Sequence, residues 1–138
     1  MYTETIYQTE TEARFKALAK HLESDIEEAE SLADNYLVLT DDEANEMAYQ
    51  YIKDSICFFN PSFIASHCES DIPQDAIEAI QEKYEASNPI LLKLIKDIDS
   101  FVEDAISSDG RGHFIGFYDG EEWEQTVNGT TYYIYRTN

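Results

Sequence analysis

Positive charge is what this sequence has least of. Nine lysines and arginines stand against 29 aspartates and glutamates, a formal charge of −20 over 138 residues. So acidic a chain is repelled by phosphate and by anionic lipid, which argues against direct nucleic-acid binding and against adsorption to a membrane. It is drawn instead to basic surfaces, and those are often the nucleic-acid grooves of other proteins. Cysteine is also scarce. Cys57 and Cys68 form no CxxC pair and make no disulfide framework, so two buried thiols in a reducing cytosol are expected. No apolar run approaches the ~20 residues that span a bilayer. The polar, acidic stretch Met1 to Thr11 lacks the basic and apolar regions of a signal peptide. Asn128-Gly129-Thr130 fits a glycosylation sequon, but in an unsecreted chain it reads as a turn. GxSxG, HExxH, P-loop, EF-hand and Cys/His zinc spacings are all missing. The expectation is a non-enzyme with no catalytic residues, no metal and no cofactor.

What is present is enough to fold. Hydrophobic residues make up 43% and aromatics 13%, so a core can form, and the length fits a single domain over 1–138. A helix is expected from about Thr11 to Leu22, capped by Thr9 with Glu12. Ser24 with Glu27 repeats that box, and Ile26, Ala29, Leu32, Ala33 and Tyr36 mark a second helix or a continuation of the first. Thr40-Asp41-Asp42 starts another, with an apolar stripe reaching about Phe58. Asn60-Pro61 opens a short helix to about His67, and Pro73 opens the next. Asn88-Pro89 begins a long helix to about Ser107, and Gly110 stops it. The pattern then changes to strands at His113–Tyr118, Glu122–Val127 and Thr130–Arg136, turning at Asp119-Gly120 and Asn128-Gly129. The fold class is therefore α+β: a helical body of about five helices (1–108) packed with a three-stranded antiparallel meander (109–138).

The acids are unevenly spread. Between His21 and Ile52 there is no lysine or arginine, while Glu23, Asp25, Glu27, Glu28, Glu30, Asp34, Asp41, Asp42, Glu43 and Glu46 all fall there. Like charges at i,i+4, such as Glu23 with Glu27 and Asp42 with Glu46, destabilise a helix by a few tenths of a kcal/mol each. Duplex DNA carries one charge per ~1.7 Å of axis, and a helix rises ~1.5 Å per residue. Carboxylates every two or three residues thus come within a factor of about two to three of that density. A basic groove can accept such a face as a decoy. The competing reading is a solvated acidic face that only confers solubility.

The densest local signal is Asp109-Gly110-Arg111-Gly112-His113-Phe114, followed by Tyr118-Asp119-Gly120-Glu121-Glu122. A histidine beside carboxylates can bind a metal or move a proton, which makes Arg111, His113, Asp119 and Glu121 a possible secondary site. The simpler reading is folding: Arg111 pairs with helix-terminal carbonyls or with Glu103 or Asp104, and His113 begins a strand. His67-Cys68 is adjacent in sequence only and is weak evidence for a nucleophile–base pair. Tyr132, Tyr133 and Tyr135 share a strand, but a base-stacking platform needs a positive groove, so core packing and sheet pairing account for them better.

The run GRGHF…YDGEE…E with the terminal YYIYRTN, and FNPSFIASHCE upstream, resembles small uncharacterised proteins encoded by bacteriophages and prophages. The resemblance covers roughly the last half of the chain and carries over no catalytic residues. It implies expression in the cytoplasm of a bacterial host. Joined to the charge, it favours an inhibitor that mimics DNA and binds a basic, nucleic-acid-binding host protein. Such targets include a restriction or CRISPR effector, a repair glycosylase or a nucleoid protein. The alternative is a phage accessory or structural adaptor whose acidity is incidental.

Overall fold

The computed structural model describes residues 2–138, with side chains from Glu10 onward. Among the described residues seven α-helices, rather than the expected five or so, and three strands follow in the order α1 Tyr2–Leu22, α2 Ile26–Leu32, β1 Tyr36–Leu39, α3 Asp41–Asp54, α4 Pro61–Ser66, α5 Gln74–Gln81, α6 Asn88–Leu94, α7 Ile98–Asp109, β2 Trp123–Val127 and β3 Thr130–Arg136. No helix among the described residues is long and apolar enough to cross a membrane. The chain forms two compact units, residues 1–48 with 111–138 and residues 49–110, so the sheet shares its unit with the N-terminal segment.

In the first unit β3 is the central strand of an antiparallel sheet ordered β1-β3-β2. Val38, Ile134 and Trp123 stand in one row, and Leu39, Tyr133 and Glu124 in the next. One face, with Tyr132, Ile134 and Val127, packs on Ala13, Ala17, Leu18 and Ala19 of α1 and Ala29 of α2. Small residues on the inner side of α1 let the helix lie close to the sheet. That helix also reaches both sheet edges: Arg14 donates to the Val38 carbonyl at 2.7 Å, and Lys20 to that of Thr126 at 2.9 Å. The β2–β3 turn is the expected Asn128-Gly129, with φ of 52° and 82°, the left-handed pair of a type I′ hairpin.

The second unit is helical. Ile52, Ile56, Ile64, Ile77, Leu91 and Phe101 are fully buried. Phe101 packs edge-on against Phe59, Phe63 and His67 at 5.1, 4.9 and 5.3 Å. The Asn88 side chain accepts from Cys57 N at 3.0 Å and donates to Lys53 O at 2.8 Å. It therefore stitches the end of α3 to the turn after it and does not cap α6. Cys57 is buried and Cys68 half-buried; both are free thiols that burial pushes up from their ordinary pKa.

Several expectations are corrected. The expected strand His113–Tyr118, the first of the meander, does not form. Arg111–Phe114 is a turn of 3-10 helix, and the chain beyond it winds tightly, with Gly116 N on Gly112 O at 2.7 Å and Gly120 N on Gly116 O at 2.6 Å. A Cβ on Gly112 would sit 2.7 Å from Gly120 O, so glycine is required there. The third strand is Tyr36–Leu39, and the second helix ends before Tyr36. The long helix expected from Pro89 breaks in two. Ile95 is extended and bridges to Cys68, Lys96 N donates to His67 O at 2.8 Å, and Asp97 caps a fresh helix through Asp99 N at 3.0 Å. Helix α1 begins at Tyr2, since nothing from Tyr2 to Glu10 is glycine or proline. Thr9 therefore lies inside it, and its side chain is outside the described residues. Asp25, not Ser24, caps α2, accepting from Glu28 N at 2.8 Å.

Helix α1 ends in a Schellman motif: Ser24 N donates to Ala19 O at 3.0 Å and Glu23 N to Lys20 O at 3.3 Å. Glu23 sits at the left-handed position with φ 54°, where glycine is usual. We expect Glu23→Gly to raise stability by about 1 kcal/mol, read as an increased urea midpoint at unchanged slope.

Candidate functional site

All ten carboxylates from Glu23 to Glu46 are exposed. They divide by what each does for its own backbone. Asp25 caps α2. Asp41 meets Arg111 at 2.8 Å. Glu43 forms a capping box with Thr40, accepting from Thr40 N at 2.8 Å, and takes Arg14 at 2.7 Å. The hydrogen bonds from Arg14, opposed by some burial, hold the Glu43 carboxyl below its ordinary value. Arg14 is itself lowered by burial and raised more by Glu43 and Glu10, so it stays charged. Glu27 and Glu28 lie in the first turn of α2 and Asp42 in that of α3, where the helix dipole favours anions. Glu46, four residues after Asp42, is engaged with other groups as well.

Glu23, Glu30 and Asp34 remain, and none of them caps or opens an α-helix. Glu23 follows the end of α1 in a left-handed conformation, Glu30 lies in the last turn of α2, which has no base, and Asp34 sits in the short 3-10 turn Ala33–Asn35 that follows α2 directly. An anion beside the negative end of a helix is disfavoured. None of the three makes a salt bridge among the described residues. Glu23 and Glu27 fall in different elements, so they are not the i,i+4 helical pair expected; Asp42 and Glu46 do share α3.

The secondary cluster does not assemble into one site. The Arg111 side chain is 10% exposed, with Nε on Glu122 at 2.6 Å, Nη1 on Asp41 and on Asn45 at 2.8 Å, and Cζ 4.6 Å from the centre of the Tyr133 ring. Its partners are thus neither Glu103 nor Asp104; Asp104 pairs with His67 at 2.9 Å. Burial alone would lower Arg111, but Glu122 and Asp41 outweigh it and raise its pKa. Glu122 also accepts from the hydroxyl of the buried Tyr135, whose pKa is raised by burial and by that carboxylate. His113 is exposed, on the 3-10 turn, edge-on to Phe114 at 4.9 Å. Asp119 accepts from Glu121 N at 3.0 Å and faces His21, while Glu121 is exposed. No group of three His, Cys, Asp or Glu side chains among the described residues is placed to hold a metal.

Sequence reasoning passed over Glu122, Asn45 and Tyr135 as partners of Arg111, and over His21 and Trp123. His21 is half-buried, 5.5 Å from the Trp123 ring and 6.3 Å from that of Tyr36. Period-two alternation was the usable signal: Glu122 and Trp123 must face opposite sides of the sheet. No protein-family model, no curated protein and no solved structure matches the chain.

Arg111→Ala should lower stability by about 2 kcal/mol, because it strands Glu122 and uncovers Tyr133. Arg111→Lys should restore little of this, since a single ammonium cannot fork between Asp41 and Glu122. Urea unfolding of the three proteins checks both. His21 gives a pH dependence: burial lowers its pKa below the ordinary 6.5, with Asp119 opposing. The folded state therefore binds that proton less readily than the unfolded state. The contribution is complete above 6.5 and is lost as pH falls from 6.5 through the folded value. Urea midpoints should decline over that window in wild type and decline less in His21→Gln.

Proposed function

We propose that this chain is an acidic, phage-encoded inhibitor that acts in the cytoplasm of a bacterial host. It binds a basic, nucleic-acid-binding host protein by DNA mimicry, in the manner of an anti-restriction or anti-CRISPR factor. The observation that carries the reading is the placement of Glu23, Glu30 and Asp34: three exposed carboxylates with no salt bridge among the described residues, two of them at the negative ends of α-helices. Exposed charges that folding does not use, in a segment without a base, are what a partner of opposite sign would select. Glu27, Glu28 and Asp42 extend the same acidic run while also suiting their helix ends. On this reading the protein performs no catalysis, takes no cofactor and does not itself bind nucleic acid.

A second reading, a phage accessory or adaptor with incidental charge, draws support from Asp25, Asp41 and Glu43. These three are spent on a helix cap and two arginine pairs.

The triple reversal Glu23→Lys, Glu30→Lys, Asp34→Lys separates the two. It relieves the like-sign charge at the ends of α1 and α2, and equal urea midpoints of the two proteins separate loss of binding from unfolding. Titrated against a DNA-cleaving restriction enzyme, wild type should compete with DNA. The variant should bind about tenfold or more weakly, mainly through a slower association rate, and the wild-type advantage should shrink at high salt. Equal affinity of the two proteins at every salt concentration leaves the adaptor reading.

A further inference from the structure

One face of the first unit carries a continuous strip of rings. The Arg136 guanidinium lies 3.7 Å from the Tyr118 ring and 6.0 Å from that of Tyr36. Tyr36 meets His21 at 6.3 Å, and His21 meets Trp123 at 5.5 Å. The chain has three arginines, and each is set over a tyrosine: Arg14 over Tyr132 at 5.5 Å, Arg111 over Tyr133 at 4.6 Å, and Arg136 over Tyr118. Trp123, the one tryptophan, has no cation over it among the described residues and is 49% exposed. Indole is the strongest cation acceptor of the aromatic side chains.

The segment around Trp123 is acidic and already shaped. Asp119, Glu121 and Glu124 are exposed and form no salt bridge among the described residues, whereas Glu122 is held by Arg111. Gly120 N on Gly116 O at 2.6 Å, Tyr118 N on Arg136 O at 3.2 Å and Glu121 N on Asp119 at 3.0 Å fix the turn that precedes the strand. A pre-ordered loop loses little freedom on binding, and exposed tryptophan is a favoured anchor of protein interfaces.

We propose that Trp123 is the anchor of a second docking surface, which takes an arginine or lysine side chain of a basic protein on its exposed ring, with Asp119 and Glu121 on the turn that leads into its strand. This rests on the reading of the chain as a binder of basic protein and adds where, apart from α2, the partner is gripped. Charge complementarity selects the occupant. A cation on Trp123 is drawn both by the ring and by the exposed carboxylates of Asp119 and Glu121 on the turn just before it. A nucleic-acid base would be repelled by those carboxylates, and a second copy of this chain by its own −20.

The single tryptophan makes the test direct. An oligo-arginine peptide titrated into the intact protein should change Trp123 emission saturably and with strong salt dependence, while an oligo-glutamate peptide should not. By calorimetry, Trp123→Leu should bind the oligo-arginine about three- to fivefold more weakly. Trp123→Phe, which keeps a ring against His21, should fall between, and circular dichroism should show all three folded alike. Peptide binding without any emission change, or full affinity in Trp123→Leu, overturns the proposal. So does a concentration-dependent emission change with no peptide added, which would assign the face to a second copy. If the triple reversal at Glu23, Glu30 and Asp34 abolishes enzyme binding while Trp123→Leu does not affect it, only this inference fails. If neither variant affects that binding, the inhibitor reading fails with it.

Discussion

Strand β3 carries large side chains on both of its faces. Tyr132 and Ile134 point one way and Tyr133 and Tyr135 the other, and three of these four are buried. A strand of that kind is unstable unless both its edges are paired and both its faces covered. Much of the first unit follows from this demand. Edge pairing recruits β2 through a tight hairpin and β1 from a hundred residues earlier. One face is covered by the alanine-lined side of α1. The other is closed in part by Arg111, whose guanidinium lies over the Tyr133 ring while its partner Glu122 takes the Tyr135 hydroxyl.

The same demand explains how so acidic a chain spends its few cations. Arg14 and Arg111 each bind two carboxylates and a tyrosine ring, and each ties a distant segment to the start of α3, through Glu43 and Asp41 respectively. Half-buried guanidinium groups hold carboxylates that would otherwise repel one another at a helix start. Carboxylates beyond that reach stay solvated. The functional reading therefore rests on the carboxylates that lack an internal partner, not on the net charge.

Features set by neighbouring residues were legible in the sequence. Asn60 before Pro61, the helix start at Thr40-Asp41-Asp42, the helix stop at Gly110 and the Asn128-Gly129 turn all stand where local chemistry places them. Features decided by remote chain were not. The run Tyr36–Leu39 has helical spacing with residues before it, and only the far end of the sequence makes it a strand. The apolar stripe from Leu91 to Ile106 is continuous, yet His67 and Cys68 pull Ile95 and Lys96 out of the helix, and Asp97 restarts it. For the candidate site, exposure of the acidic run was legible. Its division into partnered and unpartnered carboxylates was not, because Arg111 and Asp41 are far apart in sequence.

The two reaches of α1, Arg14 to the Val38 carbonyl and Lys20 to that of Thr126, have a consequence beyond holding the sheet in place. A three-stranded sheet offers two open borders, and a strand as rich in tyrosine and isoleucine as β3 is the sort of sequence that templates fibrils when neighbouring chains can add to it. On each border strand a long cationic side chain takes up a carbonyl. One helix thus guards both borders with two of the chain's nine basic residues.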